Sequence, residues 1–143
     1  PVPVDLFVKL FAGYEKAMGL FPRNTPLTVR YAEALLADGQ PEKAHGILLD
    51  LLNNVPPTAE QVRLIALAAS AAGDTADAHY YMAELHLLRG DVIMAADQLR
   101  LALSIPGLDS VQKARFTSRL AEIQEWLDRE LRGRRQQAAG GKQ

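Results

Sequence analysis

The sequence predicts an all-α fold, a solenoid of about seven antiparallel helices that stack in series and end in a C-terminal capping helix. Three observations predict it: glycine and alanine positions that recur at a fixed interval, apolar residues at helical spacing, and proline or capping residues between the helical stretches. We find no segment with the alternating apolar and polar pattern of a β-strand.

The recurring phrase is Gly-x-x-x-x-Ala, found at Gly39–Ala44, Gly73–Ala78 and Gly90–Ala95. The first two phrases are 34 residues apart, and the third follows after 17 residues, which is half that interval. Pro22 and Pro56 are also 34 residues apart. Repeats of this length are typical of stacked helical pairs, so a serial stack is predicted, with the fifth helix shared between two repeats.

Each position in the phrase has a structural role. Gly39 and Gly73 follow amphipathic stretches, where glycine readily takes the left-handed conformation that ends a helix. The alanine of each phrase is expected to face the preceding helix, whose matching residues are also small, namely Ala32, Ala66 and Ala83. Small side chains on both sides allow a close approach of the two backbones, so each joint predicts a helical hairpin.

Apolar residues at i, i+3, i+4 and i+7 place the first helix at about residues 5–20, the fifth at about 76–89 and the sixth at about 92–104. Thr25 is expected to cap the second helix, and the third is expected to end before Pro56. Capping boxes open two more helices: Thr58 with Gln61 for the fourth, and Asp109 with Gln112 for the seventh.

The repeat domain is predicted to cover residues 1–133. Residues 134–143 have no apolar period and are expected to form a disordered tail. The first residues show no signal peptide and no initiator methionine, so we expect a fragment or a processed chain.

Composition limits the function classes. The chain has 143 residues with 48% hydrophobic and 23% charged residues, which is ordinary globular usage, and a formal net charge of -1. A near-neutral charge argues against a nucleic-acid partner, because such proteins neutralise phosphates. Without cysteine, disulfides and thiolate metal sites are excluded. No apolar run has the length of a membrane span, so none is expected.

The residue patterns of enzymes and metal sites are missing from the sequence. His79 and His86 lie seven residues apart on one predicted helix, too far for the i, i+4 pair that grips zinc. No glycine-rich phosphate loop, nucleophile elbow or distinctive carboxylate pair is present. We therefore expect no catalytic residue, no metal and no cofactor in this chain.

The 34-residue register, with small residues at the joints and a closing proline, resembles tetratricopeptide repeats. Aromatic positions of that family are kept at Tyr14 and Tyr31, while Leu48 and Met82 stand where Phe or Tyr is common. The resemblance implies a tetratricopeptide-like solenoid that binds protein or peptide segments.

A second resemblance covers nearly the whole chain. The similar segments are residues 24–28, 32–36, 83–91, 95–103, 106–109, 112–115 and 119–120. They resemble the C-terminal region of the periplasmic M48-type zinc metalloproteases that assist β-barrel assembly in the outer membrane. This similarity implies a periplasmic location, a zinc protease domain upstream, and a repeat domain that contacts client polypeptides, outer-membrane β-barrel proteins or their assembly machinery. The metal motif His-Glu-x-x-His is absent here, so the zinc and catalytic roles are not carried over. The alternative is a free-standing tetratricopeptide adaptor or scaffold with an unrelated protein partner.

The tetratricopeptide resemblance also implies a concave binding surface. The residues in the corresponding positions are Val29, Glu33, Leu36, Arg63, Leu67, Ser70, Tyr80, Glu84 and Leu87. Such a mixture of apolar and charged residues suits an extended or helical peptide. Tyr80 has two interpretations, a ligand anchor or a residue that packs between helices. Because the fifth helix is shared, we expect the groove to change direction near it.

Two features of the C-terminal part have alternative interpretations as well. Four basic residues lie near the C-terminus: Arg129, Arg132, Arg134 and Arg135. They belong either to a solvated tail or to a basic cluster that attracts acidic partners or lipid head groups. Trp126 lies beside the apolar stripe of the seventh helix and is expected to pack within the cap.

Overall fold

The computed structural model describes residues 3–141, which form seven α-helices and no β-strand. The predicted all-α solenoid is therefore confirmed. In chain order the helices are α1 (Val4–Leu20), α2 (Thr25–Ala37), α3 (Pro41–Asn54), α4 (Ala59–Ala71), α5 (Thr75–Leu88), α6 (Val92–Ser104) and α7 (Ser110–Gly140).

Each helix packs mainly against the next helix in the chain, which is the serial stacking expected of a repeat protein. The α4–α5 and α5–α6 pairs pack most extensively, and α2 also touches α4 across the hairpin between them. Helix α1 makes the least extensive of these neighbour packings and contains no buried residue. The stack is thus most compact around α5, the helix shared between two repeats.

The glycine–alanine joints have the predicted geometry. Gly39, Gly73 and Gly90 adopt positive φ angles of 73°, 84° and 78°. The residue after each glycine donates its backbone N–H to a carbonyl in the last turn of the preceding helix, at 2.8–2.9 Å in all three joints. Ala44 and Ala95 are fully buried behind these turns, whereas Ala78 of the middle joint is half-buried.

The two predicted capping boxes are both present, at Thr58 with Gln61 and at Asp109 with Gln112. The predicted cap of α2 is wrong. Asn24, rather than Thr25, precedes the helix with an extended backbone, and its side-chain oxygen accepts the N–H of Leu27 at 3.1 Å. Asn binds the free N–H groups of a helix start at least as well as Thr, so the earlier residue takes the cap.

Two apolar clusters form the core. The first centres on Tyr31, Leu35, Leu48 and Ile65 of helices α2 to α4, together with residues of α5. The second lies between α5, α6 and α7, around large buried side chains such as Leu99 and Phe116. The partly buried side chain of Tyr80 packs against both clusters and so joins the two halves of the stack.

Helix α7 is longer than the sequence analysis predicts. It passes through Gly133, where the repeat domain was expected to end, and continues to Gly140, so residues 134–140 are helical. Glycine within a helix costs only about 1 kcal/mol, and the surrounding Arg, Gln and Ala residues are good helix formers. Residues 142 and 143 of the predicted tail lie outside the described residues.

Candidate functional site

Helices α2 and α4 enclose a cleft of about 290 Å³ on the side where the two helices touch. We call it the α2–α4 cleft. Its lining residues come from one face of each helix and from the turn before α4: Thr25, Pro26, Val29, Glu33, Thr58, Glu60, Gln61 and Leu64. Two of the nine predicted binding residues, Val29 and Glu33, are among them.

The α2–α4 cleft combines apolar and acidic groups. Val29 and Leu64 are half-buried, whereas Glu33 and Glu60 are exposed at the surface. Residues four apart lie on one face of a helix, so each helix presents one apolar and one acidic side chain to the cleft. Neither carboxylate forms a salt bridge with any residue between positions 3 and 141. The cleft therefore offers apolar contact area beside two carboxylates that are free to take a cation.

Four other predicted residues lie on the same two helices. Arg63, Leu67 and Ser70 are exposed on α4, and the side chain of Leu67 is 60% exposed. Leu36 of α2 is half-buried and packs against the first apolar cluster. An exposed leucine in this position adds apolar surface on α4 close to the cleft.

Tyr80 and Glu84 line a second cleft, between α5 and α7, where both side chains already have partners within the chain. Glu84 accepts hydrogen bonds from Nε and Nη2 of Arg119 at 2.7 and 3.1 Å. The ring of Tyr80 stacks on Phe116 with centroids 5.3 Å apart, and the Arg115 guanidinium lies 4.5 Å from the Tyr80 centroid. Burial raises the pKa of the Tyr80 hydroxyl.

Of the two interpretations of Tyr80, the geometry favours packing between helices. Its ring is held by α7 on one side and by its neighbour Tyr81 on the other, at a centroid distance of 5.2 Å. The change of groove direction near α5 stays a prediction. Helix α7 occupies this face of α5 through Arg115 and Arg119, beside Tyr80 and Glu84.

Beneath this second cleft lies a buried carboxylate. Asp77 of α5 is 4% exposed, and its Oδ1 accepts hydrogen bonds from Arg115 Nη2 at 2.9 Å and Gln112 Nε2 at 3.0 Å, both on α7. Its Oδ2 lies 3.4 Å from Nε2 of His45 on α3, without a well-aligned hydrogen bond. Burial raises the pKa of Asp77, but the contacts with His45 and Gln112 and the charge of Arg115 outweigh it, so the pKa is lowered.

No signal in the sequence marks this network. An aspartate in the first turn of a helix is common at the surface, where it favourably meets the helix dipole. Only the stacking of α3 and α7 on either side of α5 buries Asp77. Its role is structural: it ties together three helices that are not consecutive.

Leu87, the last predicted binding residue, packs against the second apolar cluster and lines a third cleft between α5, α6 and α7. Trp126 also lines this cleft, with 44% of its side chain exposed. The expectation that Trp126 packs within the cap is therefore wrong, because nearly half of its side chain is exposed beside the start of α6. The exposed indole adds apolar surface to this cleft.

Five of the nine predicted residues thus line three separate clefts and not one continuous surface. Val29 and Glu33 are in the α2–α4 cleft, Tyr80 and Glu84 are engaged with α7, and Leu87 lies near Trp126. Most of the cleft residues that the prediction missed lie on the same two helices, and Thr58 caps the second of them. Thr25 precedes Val29 by four residues, and helical spacing alone could have found it.

The histidines have structural neighbours. His79 Nδ1 lies 2.8 Å from Gln98 Oε1, and His45 faces Asp77. Within residues 3–141, no group of three or more His, Asp or Glu side chains is arranged to hold a metal ion. In the same part of the chain, no helix is both long enough and apolar enough to cross a membrane.

Comparison with known proteins gives one family. Residues 12–68, from the middle of α1 through most of α4, match the family model described as tetratricopeptide repeat. No curated protein matches the chain. The match includes both helices of the α2–α4 cleft and the first glycine–alanine joint. Residues 12–68 therefore form a region similar to the tetratricopeptide repeat, and the described chain has the architecture of a tetratricopeptide-like solenoid.

Proposed function

We propose that this chain is a non-catalytic protein–protein interaction domain, and that its α2–α4 cleft binds an extended segment of another polypeptide. Tetratricopeptide repeats generally mediate protein–protein interactions, and the matched region contains both walls of the cleft. The observation that carries the proposal is the pair of exposed carboxylates, Glu33 and Glu60, beside the apolar side chains of Val29 and Leu64.

This arrangement favours a particular kind of segment. An apolar side chain of the ligand would pack on Val29 and Leu64, while a neighbouring Lys or Arg would pair with Glu33 or Glu60. Exposed charges on the rim add specificity and speed of association more than affinity, so the apolar contact supplies most of the binding energy. The expected ligand is thus a peptide in which a large apolar residue lies within a few positions of a basic one.

We further propose a periplasmic role for this chain. The proposal rests on the similarity of residues 83–91, 95–103 and the shorter segments named above to the M48-type metalloproteases. The bound segments would then be client polypeptides, outer-membrane β-barrel proteins or components of their assembly machinery, and a zinc protease domain would lie upstream. The coding sequence upstream separates this role from that of a free-standing adaptor or scaffold. A His-Glu-x-x-His helix preceded by a signal sequence supports the protease, and an unrelated upstream region contradicts it.

A selection from a random displayed-peptide library tests the cleft directly. We expect enriched peptides to combine an apolar and a basic residue, and their binding to weaken at least about ten-fold in Glu33→Lys and in Val29→Glu. Arg100→Glu is the matched control, because its side chain is exposed on α6, away from the cleft. Circular dichroism should show unchanged helical content in all three variants.

Two results would contradict the proposal. One is a selection that enriches no peptide. The other is a set of enriched peptides whose binding is as strong in Glu33→Lys and Val29→Glu as in the unsubstituted chain.

A further inference from the structure

Helix α1 carries an uncovered apolar seam. The helix contains no buried residue, and its leucines Leu6, Leu10 and Leu20 are 55%, 42% and 66% exposed. At about 100° of rotation per residue, these leucines lie on one side of α1 together with Gly13 and Ala17. Successive members of the set are four, three, four and three residues apart, the spacing of a seam along which a second helix packs.

The contacts of α1 determine which way this seam points. Phe11 and Tyr14 meet the ring of Tyr31 on α2, and Glu15 pairs with Lys43 of α3 at 3.1 Å. By the helical rotation, the seam lies about 100° from the side that meets α2 and about 180° from the side of Glu15. The seam is therefore turned away from α3. Among the helices of residues 3–141, α1 packs extensively only against α2.

Helix α2 extends the apolar surface. Leu27 and Ala34 are half-buried and lie seven residues apart, on one side of the helix. Val29 and Glu33 of the same helix face α4, and the rotation places Leu27 and Ala34 away from them, beside α1. We call the seam of α1 together with Leu27 and Ala34 the α1–α2 face. A helix docked on it would lie between α1 and α2.

Bases predominate around the α1–α2 face. Two lie along its α1 edge, one lies in the turn between the helices, and one lies along its α2 edge: Lys9, Lys16, Arg23 and Arg30. None of the four forms a salt bridge with a residue between positions 3 and 141. The acids Asp5 and Asp38 lie together at the far end of the face, where α1 begins and α2 ends, and Asp38 accepts a hydrogen bond from Gln40 at 2.6 Å. Most of the face is thus edged by uncompensated positive charge.

We propose that the α1–α2 face docks an amphipathic α-helix of another polypeptide, whose apolar side is flanked by Asp and Glu. Large apolar side chains of that helix pack over Gly13 and Ala17, where small residues let two helices approach closely. Its carboxylates lie opposite Lys9, Lys16 and Arg30. This surface is separate from the α2–α4 cleft, and it selects a partner of opposite charge.

Charge and shape favour this occupant over two others. A second copy of the chain would bring the same excess of bases, which repel at short distance. A lipid surface would gain little from the centre of the seam, because membrane binding grows with buried apolar area and Gly13 and Ala17 offer little of it. The same two residues favour a close helix–helix contact.

Fluorescence anisotropy with the full chain tests the proposal. The probe is a fluorescein-labelled helical peptide with Leu along one side and Glu on both flanks, and the reference peptide has Gln in place of every Glu. We expect the Glu peptide to bind at least about ten-fold more tightly than the Gln peptide, with an affinity that falls as salt rises. Equal binding of the two peptides overturns the proposal.

Charge reversal at the edge of the face identifies the bases. Lys9→Glu with Lys16→Glu should weaken binding of the Glu peptide at least about ten-fold. Lys113→Glu with Arg132→Glu is the matched control, because it makes the same change of net charge at two exposed residues of α7. The proposal is overturned if both double variants bind alike.

Two glycines of α1 separate the seam from the rest of the helix. A Cβ added at Gly13 or at Gly19 meets no atom within 4 Å, so both positions accept a larger residue without disturbing the fold. Gly13→Glu places a carboxylate in the middle of the seam and should weaken binding at least about ten-fold. Gly19→Glu lies off the seam by the helical rotation and should bind normally. Equal affinity in these two variants contradicts docking on this face.

The other occupants give different results. Dimerisation of the unsubstituted chain that Gly13→Glu abolishes would assign the face to a second copy. Binding to vesicles of phosphatidylcholine and phosphatidylserine that the same substitution abolishes would assign it to lipid, and either result overturns the proposal. Glu33→Lys and Val29→Glu alter only the α2–α4 cleft, so they should leave binding of the Glu peptide unchanged, and the two proposed sites can fail separately.

Discussion

Replacing the buried Asp77 by Asn tests the network that joins α3, α5 and α7. Asn keeps the size of the side chain but removes its charge, so the hydrogen bonds from Arg115 and Gln112 lose their charged acceptor. Removing one partner of a buried ion pair costs about 3–5 kcal/mol, because the other charge stays buried. The Arg115 side chain is 29% exposed and partly solvated, so we expect the lower end, about 3 kcal/mol.

Equilibrium unfolding in urea, followed by circular dichroism at the helical band, measures this loss. At this chain length, about 3 kcal/mol corresponds to a fall in Tm of about 10 °C. Asp97→Asn is the matched control, because Asp97 also pairs with an arginine, at 3.1 Å, but with 63% of its side chain exposed. Exposed pairs contribute about 0.2–1 kcal/mol, so this substitution should change the free energy of unfolding little.

A double-mutant cycle with Arg115→Gln isolates the pair. We expect Asp77→Asn and Arg115→Gln to couple by about 2 kcal/mol, since each removes the same interaction. Equal effects of Asp77→Asn and Asp97→Asn, or additive effects of the two substitutions in the cycle, would refute the reasoning. The carboxylate would then be buried without stabilising the stack.

Four further outcomes are expected. The pKa of Asp77 is lowered in the folded state. Its contribution to stability is therefore complete above the unfolded pKa of about 4 and is lost as pH falls through the folded pKa. In urea unfolding between pH 6 and pH 2, the free energy of unfolding should fall less steeply with acid in Asp77→Asn than in the unsubstituted chain. Tyr80→Ala should lower stability by about 3 kcal/mol, since the stack with α7 is lost, and a melting temperature like that of the unsubstituted chain would return Tyr80 to the role of a free ligand anchor. Ala44→Leu should cost about 1–3 kcal/mol by overpacking a fully buried joint, and a neutral effect in thermal melts would contradict the close helix approach. Gly73→Ala, at φ +84°, should destabilise by about 1 kcal/mol, while Gly13→Ala within α1 should stabilise by about 0.5–1 kcal/mol; equal effects on urea midpoints would argue against the left-handed turn.

The joints could be predicted from the sequence because their requirements are local. A residue with positive φ and a small residue five positions later are needed at every tight turn between paired helices, and few residue types meet these needs. The sequence therefore predicts the positive φ of Gly39 and Gly90 and the burial of Ala44 and Ala95, and the structure has both. The capping boxes are equally local, since both partners lie within three residues.

The binding surface was harder to predict because it depends on which helix covers which. Tyr80 has the repeat position of a groove residue. In the structure, however, its ring packs on Phe116 of α7, which lies against this face of α5. The exposure of Trp126 depends likewise on how the start of α6 packs beside α7. Such facts involve residues far apart in the chain, and periodicity within one helix carries no information about them.

The length of α7 was also not predictable from local composition. Polar composition after Gly133 predicts a tail without structure, yet Arg, Gln and Ala are good helix formers and continue a helix that has already begun. Nucleation is the costly step of helix formation, and in α7 it takes place where the helix is packed.

The contacts of Asp77 with His45 of α3 and Arg115 of α7 affect how the molecule unfolds. Repeat proteins commonly lose their helices from the ends inward, since each unit depends only on its neighbours. Here the side chains of α7 reach past α6 to α5, and α3 reaches past α4 to the same carboxylate. The C-terminal helix cannot detach without weakening the centre, so α3 to α7 should melt together. Helix α1 has no buried residue and is tied to α3 only by the exposed Glu15–Lys43 ion pair among the described salt bridges, so it should fray first.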